Sequence, residues 1–209
     1  MTARKFFRLT PFGRLNIKLD HVHKHDSETF YGCFEPLAGR KGKVIILVRD
    51  PRDIIVSFYF FERFYTKNYQ DEVSGIHDFI HDSRYNIKNI IKYYNELLVY
   101  VKNPIILRYE DLRNNPEVEL TKIMTTLGHK VDQKRIKMAV AKTEFKTMKK
   151  ESETSDHKML KLADPNNPES GRIRRGKIGG YVDYLTPADQ EFVTQVATKL
   201  DPRYGYKIN

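Results

Sequence analysis

Apolar residues along this chain recur in two rhythms. Val44-Ile45-Ile46-Leu47-Val48 and Pro104-Ile105-Ile106-Leu107 are continuous apolar runs rich in β-branched residues. Such runs read as parallel strands buried on both faces. Between and after them the apolar spacing becomes helical. Ile55, Phe58, Tyr59, Phe61 and Tyr65 predict a helix from Arg52 to about Tyr65, opened by the Asp50-Pro51 break. Asn86 is placed to cap a helix from Ile87 to about Val101. Pro116, after Asn114-Asn115, starts another helix that Gly128 closes. Asp132 to about Thr143 and Pro187 to Leu200 complete the helices. Upstream, a weak strand is expected around Leu15–Leu19, and 21–42 reads as loop or short helix. Residues 149–172 are polar and read as a surface loop.

Strand, helix, helix, strand, helix, helix is an α/β order with a parallel sheet. Ligands of such sheets sit beyond the C-terminal strand ends. Arg49 and Tyr109 each follow a strand, so they should face one crevice. No repeat or linker divides residues 1–209, and a single domain is expected.

Charge narrows the partner. Net charge is +10, which suits a nucleotide, a nucleic acid or an acidic surface. No helix-turn-helix, RNA-recognition or zinc-finger pattern is present, so nucleic acid is not the expected partner. The one cysteine, Cys33, excludes an internal disulfide and a Cys-based zinc site. No apolar run approaches membrane-spanning length, and Met1 to Arg14 lacks a signal-peptide core. A cytoplasmic protein without a membrane partner is the expectation.

Four segments carry candidate chemistry. In Val48-Arg49-Asp50-Pro51-Arg52-Asp53, Arg49 leaves a strand where its guanidinium can meet a phosphate through two parallel hydrogen bonds. Ser57, about two turns on, adds a hydroxyl, and the helix N-terminus adds N–H groups. A plain Arg–Asp surface pair accounts for this fragment equally well. In Arg108-Tyr109-Glu110-Asp111-Leu112, Tyr109 offers a phenol to a nucleotide, and Glu110 and Asp111 can orient basic partners. In Thr143-Glu144-Phe145-Lys146-Thr147-Met148, Phe145 and Met148 are three apart and can flank a ring, or simply pack in a core. In Ile173-Arg174-Arg175-Gly176-Lys177-Ile178-Gly179-Gly180-Tyr181, glycines allow backbone N–H groups close to an anion and the arginines supply charge. A solvated basic loop is the alternative reading.

The order and spacing of the four resemble the cytosolic-type sulfotransferases, which use 3′-phosphoadenosine 5′-phosphosulfate (PAPS). The resemblance runs from about residue 43 to 195. It implies the sulfotransferase fold, a P-loop-NTPase-like parallel sheet flanked by helices. It implies that Arg49, Ser57, Arg174, Arg175 and Gly176 bind the 3′-phosphate, and that Tyr109, Thr143, Phe145 and Met148 frame the adenine. The implied reaction moves a sulfuryl group from PAPS to the hydroxyl or amine of a small-molecule acceptor, a hydroxyl compound first, leaving adenosine 3′,5′-bisphosphate (PAP). The family most often has Lys at 175, Asp at 180 and Trp at 181, where this chain has Arg, Gly and Tyr.

The family's opening Gly-rich loop, of the form Pro-Lys-Ser-Gly-Thr-Thr, holds the 5′-phosphosulfate and is not found in this sequence. Gly39-Arg40-Lys41-Gly42-Lys43 precedes a strand and has no hydroxyl residue after the lysine. An N-terminally truncated member or a differently built donor site is therefore expected. The alternative function is a degenerate or truncated member that holds the bisphosphonucleotide without efficient catalysis. Transfer to a hydroxyl needs a proton acceptor, and a histidine is the usual one. The family's base lies upstream of the 3′-phosphate strand, which here points to His21, then His23. His21, His23 and His25 alternate and would share one face of a strand. No further ligand cluster accompanies them, so no metal is expected.

Overall fold

The computed structural model describes residues 43–66, 75–144, 162–171 and 173–208. Its sheet has two parallel strands, β1 (Ile45–Val48) and β2 (Ile105–Arg108). Ile45 pairs with Ile105 and Val48 with Arg108, so both strands end level. Burial alternates along β1: Ile46 and Val48 are buried, whereas Leu47 is 56% exposed. The continuous apolar run predicted cover on both faces. Among the described residues, one face of β1 is fully packed and the other, with Ile45 and Leu47, is covered only in part.

Helix α1 (Pro51–Phe61) begins one residue earlier than the apolar spacing suggested. Asp50 caps it by accepting the Arg52 N–H at 2.9 Å, and Pro51 presets the first turn. The predicted continuation to Tyr65 exists, but as a π-helical turn over Glu62–Thr66. The inner face of α1 buries Asp53, Ile55, Val56, Phe58 and Tyr59. A short helix α2 (Ile76–His81) follows, which the apolar pattern did not reveal. Next comes α3 (Ile87–Tyr100), with Asn86 accepting the Asn89 N–H at 3.3 Å. Ile87, Ile91, Tyr94, Leu97 and Leu98 form its buried stripe.

Beyond β2 run α4 (Tyr109–Asn114), α5 (Pro116–Thr126) and α6 (Gln133–Lys142). Asp132 and Thr143, predicted as the ends of one helix, are the caps of α6. The last helix, α7 (Pro187–Ala197), is capped by Thr186 and stops before Leu200. The core joins β1, α1, α2, α3 and α7 around Phe79 and Ile55, both fully buried. Phe79 meets the rings of Phe58, Tyr59 and Tyr85 at centroid distances of 5.2, 5.4 and 4.8 Å. The C-terminal segment is tied to α3. Asn95 donates to the Lys199 carbonyl at 2.9 Å and accepts the Asp201 N–H at 2.8 Å, and buried Tyr204 donates to the Tyr94 carbonyl at 2.5 Å. No helix among the described residues is long and apolar enough to cross a membrane.

Candidate nucleotide site

Level strand ends set the frame. Val48 and Arg108 are register partners, so the next residues, Arg49 and Tyr109, emerge side by side. The Arg49 guanidinium lies 4.7 Å from the centroid of the Tyr109 ring. Both line one crevice, as their positions after the strands implied.

The crevice is a cavity of about 270 Å³. Arg49, Ser57 and Tyr109 line it from the strand ends and α1, and Arg174, Arg175 and Gly176 from the late basic loop. Asp53, Lys177, Tyr181 and Tyr184 complete much of the wall. Thus the first, second and fourth chemical segments meet at one place, although the hydrogen bonds that join the first to the fourth span 126 to 128 residues of sequence. Thr143 does not line the cavity; its hydroxyl donates back to the Ala139 carbonyl at 3.0 Å. Phe145, Met148, His21 and His23 lie outside the described residues.

Asp53 joins the two halves of this wall, and the sequence reading did not single it out. Four residues after Arg49 on the first turn of α1, it is 3% exposed. Its carboxylate accepts the Gly179 N–H at 2.9 Å and the Tyr181 N–H at 3.0 Å. The Arg49 Nη2 lies 3.4 Å away. Gly179 takes a left-handed φ of 68°, which places those two amides around one carboxylate. Burial pushes the Asp53 carboxyl above its ordinary value, against the opposing pull of Arg49 and the two amides.

Arg49 is held but not saturated. Its Nη2 donates to the Lys177 carbonyl at 3.1 Å, while its buried Nε has no hydrogen-bond partner. An orphaned guanidinium N–H beside a cavity fits an anionic ligand.

The basic loop carries its own counter-charges. Arg174 donates to Glu169 at 3.1 Å, and its guanidinium lies 4.0 Å from the Phe60 ring centroid. Arg175 donates to Glu169 at 3.0 Å and to Asp183 at 3.4 Å. Lys177 binds Asp183 at 2.7 Å. Tyr184 donates to Glu169 at 2.5 Å. Burial opposes the Glu169 charge, but the Tyr184 hydroxyl and both arginines outweigh it and hold the carboxyl below its ordinary value. Burial and the Glu169 hydrogen bond push the Tyr184 phenol up to about 12. Burial lowers the Arg174 guanidinium, only partly offset by Tyr184 and Glu169.

Glu110 and Asp111 act differently from one another. Asp111 pairs with Arg108 at 2.7 Å, as an orienter of a basic partner should. Glu110 instead accepts the Asp50 backbone N–H at 2.8 Å and the Tyr206 hydroxyl at 2.6 Å. The plain Arg–Asp pair considered for the first segment is also present, as Arg52 with Asp50 at 2.7 Å. Arg49 is itself paired, with Asp53 at 3.4 Å, and still lines the cavity.

Comparisons with known proteins agree on one family. The sulfotransferase domain matches residues 28–201. Sulfotransferase 1A1 of Mus musculus is 26% identical over 162 residues, covering 75% of this chain and 55% of the relative. Sulfotransferase 2A1 of Rattus norvegicus is 25% identical over 168 residues, covering 77% and 57%. The chain therefore spans about half the length of the curated relatives it matches. A retinol dehydratase solved with androsterone and inactive cofactor PAP gives a TM-score of 0.60 at 21% identity, covering 75% of this chain and 46% of that one. A mouse sulfotransferase, SULT7A1, complexed with PAP gives 0.54 at 20%, covering 75% and 57%. Both likenesses establish the fold, and with a domain match over most of its length the chain belongs to the sulfotransferase family.

Proposed function

We propose that this chain binds the 3′-phosphate end of PAPS and transfers its sulfuryl group to a hydroxyl or amine of a small-molecule acceptor. One observation carries the reading: Arg49 and the 174–176 loop, remote in sequence, line one cavity with Ser57 and Tyr109. A cavity of about 270 Å³ lies just under the usual range for small-molecule sites, about 300–1,000 Å³. It suits a phosphate and its sugar better than a whole nucleotide. Both structural neighbours were solved with PAP, which agrees with a bisphosphonucleotide ligand.

In this reading the Arg49 guanidinium meets the 3′-phosphate, and Ser57 adds a hydroxyl. Arg174 and Arg175 supply charge from the facing loop, the Gly176 amide donates beside them, and Tyr109 is assigned to the adenine. Thr143, Phe145 and Met148 are assigned to the adenine, and His21 or His23 to accepting the acceptor's proton, from the family resemblance alone. The bound donor supplies the activated sulfuryl group. The protein's part is to hold that donor in line with the acceptor and to screen charge.

Calorimetry with PAP tests the site. Wild type should bind, and Arg49→Ala should bind at least tenfold more weakly. An Arg49→Ala variant with wild-type affinity would remove Arg49 from the site. Transfer of radiolabelled sulfate from PAPS to a panel of phenols then tests catalysis. Binding without transfer would mark the alternative, a member that holds the bisphosphonucleotide without efficient turnover.

A further inference from the structure

A second cluster of reactive side chains sits apart from the nucleotide cavity. His77 and His81 stand one turn apart on α2, so both project from the same helix face. Asp189, in the first turn of α7, points at them. The His77 Nδ1 and the Asp189 Oδ1 are 2.7 Å apart, and the His81 Nε2 is 3.6 Å from the same oxygen. One ligand atom from each of the three residues falls within 4.8 Å of the others. The two rings are 4.8 Å apart between centroids.

We propose that His77, His81 and Asp189 bind one divalent transition-metal ion, with zinc the preferred occupant. Two imidazoles and a carboxylate are the donor set that zinc accepts, whereas calcium and magnesium prefer oxygen ligands throughout. Zinc bonds of about 2.0–2.1 Å require ligand atoms about 3.3 Å apart in a tetrahedron. The two histidine–carboxylate separations, 2.7 and 3.6 Å, bracket that value, and all three ligand atoms lie within 4.8 Å of one another, so a small rotation of the exposed rings closes the set. Coordination through Nδ1 would use the neutral tautomer of His77 with its hydrogen on Nε2, and the ion would take the place of the hydrogen bond between His77 and Asp189.

Two further features suit a metal site better than a plain hydrogen bond. The Asp189 side chain is 2% exposed, and its second oxygen accepts the Thr186 hydroxyl at 2.7 Å. A metal-bound carboxylate is commonly fixed in this way by a neighbouring donor. His81 is packed on the Phe192 ring at 4.2 Å, which limits its rotation. His77 and His81 remain 65% and 40% exposed, so the ion has a route in and keeps coordination positions open to water.

The test uses the full chain, free of any tag. His21, His23 and His25 are replaced by alanine, so that those alternating histidines contribute nothing to the titration. This parent is titrated with zinc by calorimetry and with cobalt by visible absorption. One equivalent should bind, with the intense cobalt bands of a four- or five-coordinate site. His77→Ala and His81→Ala should each weaken binding at least tenfold. Zinc should raise the melting temperature of the parent and leave that of the double variant unchanged. Both histidines are exposed, so these variants should fold even if Asp189→Asn does not. The proposal is overturned if the parent takes up no ion, or if the His77→Ala/His81→Ala double variant takes it up with the parent's affinity.

Discussion

Replacing Asp53 should unlatch the basic loop from the first helix while leaving the core intact. Its carboxylate accepts two backbone N–H groups, from Gly179 and Tyr181, in a place almost closed to water. Asp53→Ala strips both of their acceptor. A buried donor left unsatisfied costs about 1–3 kcal/mol, so the two together cost about 2–6 kcal/mol. Relief from burying a carboxylate, whose titration burial has raised, offsets part of this. A net loss of about 2–4 kcal/mol is expected. Asp53→Asn keeps one oxygen and the volume, and should lose about half as much. The loss should fall on the loop, because Asp53 makes these bonds across 126 and 128 residues of sequence and the loop can open locally. Each 1.4 kcal/mol is a factor of ten, so amide exchange at Gly179 and Tyr181 should speed by tenfold or more. PAP affinity should fall too, by the fraction of molecules whose loop is undocked. Unchanged exchange at both amides, in a folded Asp53→Ala protein, would refute the latch.

Three other outcomes follow from the same structure. Phe79→Ala removes a fully buried ring that meets three other aromatics, and should destabilise the fold by about 3–5 kcal/mol in urea unfolding. Asn86→Ala deletes the cap of α3 and should cost about 0.5–2 kcal/mol by the same measurement. Acid should weaken the protein through Glu169 and Asp189, whose folded carboxyls titrate below their ordinary values of 4.5 and 3.8. Below those values the unfolded chain binds more protons than the folded one, so stability present above them is lost as pH falls toward the lowered folded values. Melting temperatures of wild type and Glu169→Gln, followed from neutral to acid pH, should converge at the acid end.

Much of the frame was legible in the sequence because its signals are local. Asn86, Pro116 and Asp132 mark helix starts by capping chemistry, and the two apolar runs mark the strands. The meeting of Arg49 and Tyr109 followed from parallel strands alone. What escaped needed long-range partners. Asp53 looked like one acid among several in an Arg-Asp stretch, although its spacing of four from Arg49 was a usable hint. Glu169 lies in a polar stretch, and its pairing with Arg174 and Arg175 depends on how the loop folds back. Helix α2 has six residues, too few to display a period. Its histidines acquire a carboxylate partner only because α7 packs there, 112 residues downstream of His77. The exposed side of Leu47 was hidden for a different reason, since a continuous apolar run does not say how many faces are covered.

The level ending of β1 and β2 bears on what change this protein can absorb. Backbone hydrogen bonds align Val48 with Arg108, so the spacing between Arg49 and Tyr109 does not depend on the side chains near them. Substitutions in the cavity wall can alter its chemistry while its frame stays still. Insertion of one residue within either strand would be another matter. It would turn every following side chain to the opposite face and carry Tyr109 away from Arg49. Point substitution is thus the permissive way to retune this site, and a change of strand length the forbidden one.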